Sequence, residues 1–158
     1  MNKSKELHLL NQSIWFDNVD RKLINNGWLK KQVEENVIFG LTSNPSIFKN
    51  SISSGKAYSL DIQSMSLAGL DTKNIYEKLV IEDIRNVADL LNQTYLSTNR
   101  VDGYVSLEVD PELANDADQT VNEAKRLWNL VGRNNLMIKI PATPAGISAI
   151  KETIAEGI

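Results

Sequence analysis

Short apolar segments alternate with longer segments of helical periodicity along this chain, and that alternation constrains the fold more than any other feature. The short segments, at residues 13–17, 37–42, 103–109 and 136–140, are predicted strands. A segment with apolar residues at helical spacing follows each of them, and the longest spans residues 71–99. Such alternation is typical of a parallel sheet covered by helices, so the sequence predicts an α/β fold.

The number of strand–helix units sets the predicted domain organisation. The chain has 158 residues and four such units, whereas a complete (β/α)₈ barrel has eight strands and typically about 250 residues. No glycine-rich phosphate loop of the GxGxxG or GxxxxGK type is present, which disfavours a nucleotide-binding fold. We interpret residues 1–158 as the first four βα units of a truncated (β/α)₈ TIM barrel, with a helical leader at 1–12. An expression fragment, an incomplete gene prediction and a natural half-barrel remain open.

Charge and composition narrow the possible functions. The net charge is −3 and no basic run appears, so no nucleic-acid partner is expected. No apolar run has the length of a membrane span, and the first ten residues are too polar for a signal peptide. Cysteine is absent, which excludes disulfides and thiolate chemistry. We expect a cytoplasmic protein without a membrane partner.

Each predicted strand places a polar, chemically capable residue at or near its C-terminal end. These residues are Asp17, Asn44, Glu108 and Lys139. Active sites of (β/α)₈ barrels form at that end of the strands, so parallel neighbours would bring the four side chains to one mouth. Simpler roles remain possible: Asp17 and Asn44 could cap the helices that follow, and Glu108 could pair with a helix lysine. The single histidine, His8, lies in the leader without placed partners and is not expected to act in catalysis.

The alternation of side chains along the fourth predicted strand indicates toward which face Lys139 points. Lys139 shares one face of its strand with Met137, whereas Ile138 and Ile140 share the other. The isoleucines suit the side that meets the helices, so the lysine is predicted to point inward. An inward amine is costly unless it is paired or functional, and desolvation favours its neutral, nucleophilic form. The alternative is a surface lysine on an edge strand whose stem lies along apolar surface.

Four motifs together resemble the transaldolase family. They are Ser13-Ile14-Trp15-Phe16-Asp17, the run 40–48 (GLTSNPSIF), the run 105–109 (VSLEV) and the run 136–143 (LMIKIPAT). The resemblance covers nearly the whole chain in the family's order, and the first motif fits the longer bacterial branch. It implies an enzyme of the pentose phosphate pathway that transfers a dihydroxyacetone unit between sugar phosphates through a Schiff base.

The resemblance also implies residue roles. Lys139 matches the lysine that forms the Schiff base, and Glu108 matches the glutamate that handles protons with a bound water. Asp17 matches the aspartate that exchanges the substrate hydroxyl proton during carbon–carbon cleavage. No metal and no organic cofactor are implied, because the protonated imine serves as the electron sink.

Substrate binding is only partly represented in the chain. Asn44 matches the asparagine that binds substrate hydroxyls, and Thr42 and Ser43 belong to the same turn. The arginines that bind phosphate in the family, and a threonine and a serine of later strands, have no counterpart here. We therefore expect the 158-residue chain to be inactive or nearly so alone, and to self-associate through the open barrel edge. Two alternatives remain: a related Schiff-base sugar-phosphate aldolase, and a non-catalytic half-barrel fragment that oligomerises.

Overall fold

All four predicted strands form in the structure, a computed structural model that describes residues 3–158. They are β1 (Trp15–Asp17), β2 (Gly40–Thr42), β3 (Val105–Glu108) and β4 (Leu136–Lys139). The strands make one parallel sheet in the order β1-β2-β3-β4, so each neighbour in space is the neighbour in sequence. This confirms the predicted α/β class, with the architecture of the first four βα units of a (β/α)₈ barrel.

Helices connect the strands. Within residues 3–158 they are α1 (Lys3–His8), α2 (Arg21–Asn25), α3 (Trp28–Glu34), α4 (Pro45–Ser54), α5 (Ser59–Leu67), α6 (Thr72–Ser97), α7 (Ala117–Val131) and α8 (Pro144–Ala155). Short 3₁₀ turns, Lys56–Tyr58 and Pro111–Leu113, precede α5 and α7. The predicted leader contains α1, but its first two residues lie outside the described part of the chain. None of the helices in this part is long and apolar enough to cross a membrane.

Side-chain oxygens set where most of the longer helices begin. Asn44, Asp71, Asp116 and Thr143 have extended backbones, and each accepts a hydrogen bond from a backbone N–H in the first turn of the helix that follows. These contacts satisfy donors that a helix leaves unpaired at its start. At Asn44 and Thr143 these caps also fix the turns that join β2 and β4 to the helices that follow.

The hydrophobic core lies between the sheet and its helices. On β3 the helix-facing residues Val105 and Leu107 are 0% and 5% exposed. From the apolar stripe of α6, Ile84, Val87 and Leu91 belong to the same core cluster. Leu79 and Tyr95 of the stripe are buried as well. Ile138 and Ile140 pack on the same core, as alternation along the last strand predicts. The other face of the sheet is consequently the side that a closed barrel would enclose.

Polar and partly exposed residues occupy that inner face. Met137 is 42% exposed, and Trp15 lies across Gly40 of the neighbouring strand. A Cβ added to Gly40 would come within 2.4 Å of the Trp15 ring, so only glycine leaves room for the indole there. On the inner face, the Trp15 ring thus lies near the start of β1, and the polar groups lie nearer the C-terminal ends of the strands.

Candidate active site

Lys139 and Glu108 form the centre of the candidate site. Their strands pair in register, with Glu108 beside Lys139, and Nζ of Lys139 lies 3.0 Å from Oε2 of Glu108. The side chains remain 40% and 20% exposed, so water and small molecules can reach the pair. Lys139 therefore points inward as predicted, and Glu108 pairs with it and not with a helix lysine. An exposed amine beside a carboxylate is an arrangement suited to nucleophilic and acid–base chemistry.

The second contact of the Lys139 amine is a backbone carbonyl. Nζ donates a hydrogen bond of 2.7 Å to the carbonyl oxygen of Ser43, which directly follows β2. The site thus joins the ends of β2, β3 and β4, although no two of them are close in sequence. Because one acceptor is on β3 and the other is in the turn after β2, the position of the amine depends on the packing of all three strands.

Ser106 ties the Ser43 turn to β3. The Ser43 hydroxyl donates to the carbonyl oxygen of Ser106 at 2.7 Å. The Ser106 hydroxyl accepts from the Ser43 N–H at 3.4 Å and donates to the Thr42 hydroxyl at 3.0 Å. Ser43 is fully buried and Ser106 is nearly so. Ser106 was not singled out from the sequence. It lies two residues before Glu108 on β3 and therefore shares its face of the strand, and that shared face is the signal that could have found it.

Asn44 lies beside this cluster and caps α4. Its Oδ1 accepts a 2.9 Å hydrogen bond from the Ile47 N–H, so the simple capping role holds. Capping uses only the amide oxygen, and the amide nitrogen donates no hydrogen bond to any residue between 3 and 158. A cap that fixes the side chain and leaves its NH₂ group unused is compatible with binding a substrate hydroxyl.

Asp17 ends β1 at the far side of the sheet from Lys139. It pairs in register with Thr42, and its side chain is exposed. It does not cap α2; Asp20 does, accepting from the Lys22 N–H. Three strand spacings of about 4.8 Å separate β1 from β4 along the sheet, so the two side chains do not touch.

The loop after Lys139 is held tightly. Thr143 donates from its hydroxyl to the carbonyl of Ala114 and accepts at the same oxygen from the Gly146 N–H, 2.9 Å away. A Cβ on Gly146 would lie 1.8 Å from the carbonyl oxygen of Pro141. The close approach therefore requires glycine, and it secures the backbone on the C-terminal side of Lys139.

A second charged cluster, centred on Arg21, was not found from the sequence. Arg21 is 5% exposed and Asp83 is 0% exposed; Nε of Arg21 lies 2.6 Å from Oδ1 of Asp83. Tyr58 donates to Oδ2 of Asp83 at 2.8 Å and accepts from the Arg21 N–H at 3.2 Å. Glu82 and Asp61 complete the pairing of the guanidinium. Burial raises the pKa of Tyr58 to about 12.

His8 lies away from both clusters. Its ring stacks on Phe39 with a centroid distance of 3.9 Å, and its Nδ1 is 3.9 Å from a carboxylate oxygen of Asp102. These contacts attach α1 to the chain near the N-terminal ends of the strands. They place the histidine at the end of the sheet opposite to Lys139.

Comparison with known proteins agrees with this arrangement. The family profile described as Transaldolase/Fructose-6-phosphate aldolase matches residues 14–158. The chain is 48% identical over its full length to "Transaldolase 2" of Nostoc sp. (strain PCC 7120 / SAG 25.82 / UTEX 2576), covering 42% of that protein. It is 44% identical over its full length to "Transaldolase" of Thiobacillus denitrificans (strain ATCC 25259 / T1), covering 44% of it.

The matches cover most of this chain but less than half of each relative. A match to "Transaldolase" of Mycolicibacterium smegmatis (strain ATCC 700084 / mc(2)155) is 42% identical over 146 residues, 92% of this chain and 39% of that protein. The chain thus spans about two fifths of the length of the curated relatives it matches. The profile covers nearly all of the chain, including β1 to β4 and the Lys139–Glu108 pair. The chain belongs to the transaldolase/fructose-6-phosphate aldolase family.

Proposed function

We propose that this chain supplies the Schiff-base chemistry of a transaldolase, which transfers a dihydroxyacetone unit between sugar phosphates in the pentose phosphate pathway. The observation that carries the proposal is the 3.0 Å contact between the Lys139 amine and the Glu108 carboxylate at the open ends of β3 and β4. Family membership supports the reaction class. The groups that bind phosphate are expected outside residues 1–158, since the chain spans 42% of its Nostoc relative.

The first chemical step balances with these two residues alone. Glu108 takes one of the three protons of the Lys139 ammonium, and the neutral amine attacks the ketone carbon of the sugar. A second proton moves from nitrogen to the new alkoxide, giving a carbinolamine. Glu108 then returns its proton to that hydroxyl, which leaves as water. The third proton stays on the iminium nitrogen, so no external acid, metal or cofactor enters the step.

Asp17 and Asn44 are proposed to act on the sugar hydroxyls. Asp17 accepts the proton of the hydroxyl at the bond to be cleaved, and the iminium takes up the electron pair as an enamine on Lys139. The enamine then attacks the acceptor aldehyde, and Asp17 returns the proton. The Asn44 amide nitrogen donates to a substrate hydroxyl; Thr42 and Ser43 belong to the same turn.

A chimeric protein tests the proposal. Residues 1–158 of this chain, joined to the part of the Nostoc relative that follows its matched region, would restore a family member of full length. We expect transaldolase turnover in a coupled assay, and its loss in the same chimera with Lys139→Met. A folded chimera without transfer activity, or a Lys139→Met variant with normal turnover, would refute the assignment.

The same assay separates transfer from simple cleavage. A Schiff-base aldolase releases free dihydroxyacetone, whereas a transaldolase passes the unit to an acceptor aldose phosphate. We expect product formation to depend on added acceptor. Acceptor-independent release of dihydroxyacetone at the same rate would assign the chain to the aldolase branch of the family.

For the isolated chain we propose a half-barrel domain over residues 1–158, with residues 1–12 as its leader, located in the cytoplasm. We also propose that it self-associates. The inner face and the last helix carry exposed apolar side chains, including Met137, Ile147 and Ile154, and exposed apolar area of this kind favours association. Sedimentation should show a species larger than 17.7 kDa; a monodisperse monomer would contradict this part.

A further inference from the structure

The main-chain carbonyl of Ser43 contacts the reacting nitrogen, and this contact has a consequence for the direction of attack. A neutral amine has two N–H bonds and one lone pair. Two acceptors surround Nζ of Lys139: the Ser43 carbonyl oxygen at 2.7 Å and Glu108 at 3.0 Å. After Glu108 has taken its proton on one carboxyl oxygen, its other oxygen can still accept an N–H. If the two N–H bonds of the amine are directed at that oxygen and at the Ser43 carbonyl, the lone pair is left with a single remaining direction.

That remaining direction is open. Glu108 is on β3, the strand that pairs with β4, and Ser43 directly follows β2, whereas the Lys139 side chain is 40% exposed on the inner face of the sheet. A lone pair directed away from both acceptors would point toward this exposed side, from which a ketone can enter. Holding a nucleophile in one orientation lowers the entropy cost of attack.

We infer that Ser43 positions Lys139: its carbonyl orients the amine for attack and then holds the one proton that remains on the iminium. This inference rests on the proposed Schiff-base function. A protonated iminium has a single N–H. A peptide carbonyl can accept that hydrogen bond but does not remove the proton, whereas Glu108, the other acceptor, exchanges protons during dehydration. The Ser43 carbonyl thus keeps the proton on the iminium, and Glu108 transfers protons.

The structure makes the Ser43 carbonyl a fixed group. The Ser43 side chain is 0% exposed and donates to the Ser106 carbonyl at 2.7 Å, while its N–H contacts the Ser106 hydroxyl. These bonds hold the residue on both sides of its Cα. Loss of the Ser43 hydroxyl should loosen the carbonyl while Lys139 and Glu108 remain intact.

The test uses the 158-residue chain with dihydroxyacetone and cyanoborohydride, followed by peptide mapping of the reduced adduct. We expect Ser43→Ala to slow adduct formation at Lys139 by about tenfold, the scale of one lost hydrogen bond. Ser43→Thr retains the hydroxyl and should restore most of the rate. Ser51→Ala is the matched control, because Ser51 is also buried but bonds to Tyr58, remote from Lys139; its rate should be unchanged.

The outcomes separate the two proposals. Normal labelling of Lys139 in folded Ser43→Ala would overturn the positioning role and leave the Schiff-base function intact. Labelling of another lysine in the unmutated chain would overturn the function itself. A through-hydrogen-bond NMR coupling between Nζ of Lys139 and the Ser43 carbonyl carbon tests the contact even if Ser43→Ala fails to fold. Its absence, with the amine signal visible, would refute the inference.

Discussion

The Arg21 cluster and the Lys139 pair are both ionic, but they differ in how completely their charges are enclosed. Arg21 has carboxylate partners on three residues, and Asp83 beneath it has no exposed surface. Lys139 has one carboxylate and one carbonyl as acceptors, and 40% of its side chain is exposed. The first arrangement leaves no room for a ligand, whereas the second leaves one side of the amine open.

The difference separates groups that stabilise the fold from groups that can react. The Arg21 cluster connects α2 to α6 and to the turn before α5 through contacts that span up to 62 residues of sequence. A charge buried so completely is costly to leave unpaired. By contrast, the Lys139 pair keeps water access, so either partner can change protonation or bonding without unfolding the chain.

The largest expected effect on stability is that of Arg21→Met. The substitution leaves Asp83 buried without its guanidinium, and breaking such a pair costs about 3–5 kcal/mol of the free energy of unfolding. Urea denaturation followed by circular dichroism measures it. Arg133→Met is the control, because the Arg133–Asp89 pair is exposed on both sides and exposed pairs contribute little. Equal losses of stability in Arg21→Met and Arg133→Met would show that the buried pair contributes no more than the exposed one.

Asp17→Ala should reduce turnover and not stability. In the chimera with the Nostoc remainder, we expect turnover to fall at least about a hundredfold, the scale of a lost general acid–base. The borohydride-trappable adduct at Lys139 should still form, since imine formation does not use Asp17. Asp20→Ala removes the cap of α2 and controls for local stability. If both variants kept normal turnover, Asp17 would have no role in cleavage.

Tyr58 makes the closed cluster sensitive to alkaline pH. Its pKa is 10.0 in an unfolded chain and about 12 in the folded protein. The folded state therefore keeps a proton that the unfolded state loses, and stability should fall as pH rises from about 10 to 12. Tyr58→Phe should remove this part of the pH dependence and lower stability at neutral pH by about 1 kcal/mol. An unchanged alkaline slope in Tyr58→Phe would show that another group is responsible.

The smallest effect belongs to a surface pair between α6 and α7. Hydrogen bonds from Arg126 lower the pKa of Glu77 below its ordinary 4.5, so its contribution is present above that pH and is lost as pH falls. Because the pair is partly exposed, Glu77→Gln should cost only a few tenths of a kcal/mol near neutrality, about the value of surface pairs. The stability of Glu77→Gln should also fall less steeply as pH decreases in the acid range. The same dependence of stability on pH as in the unmodified chain would show that Glu77 does not contribute to it.

Local pattern predicted the fold and the direction of Lys139 because both depend on strand alternation. The strands are shorter than predicted: β1 and β2 lack the first residues of their segments, β4 lacks the last one, and β3 is shorter at both ends. The Ser43 carbonyl was missed because every residue has one, so no sequence signal marks a backbone acceptor. Arg21 and Asp83 were missed for another reason: the pair joins separate helices and has no local periodicity.

The most direct measurement is to map the lysine that a ketose phosphate labels on reduction with borohydride. We expect an adduct at Lys139 alone, because its amine is held beside the Glu108 carboxylate at the open ends of β3 and β4. Labelling of the isolated chain should be weak without the phosphate-binding groups and strong in the chimera with the Nostoc remainder. An adduct formed mainly at another lysine of the folded chimera would show that Lys139 is not the nucleophile.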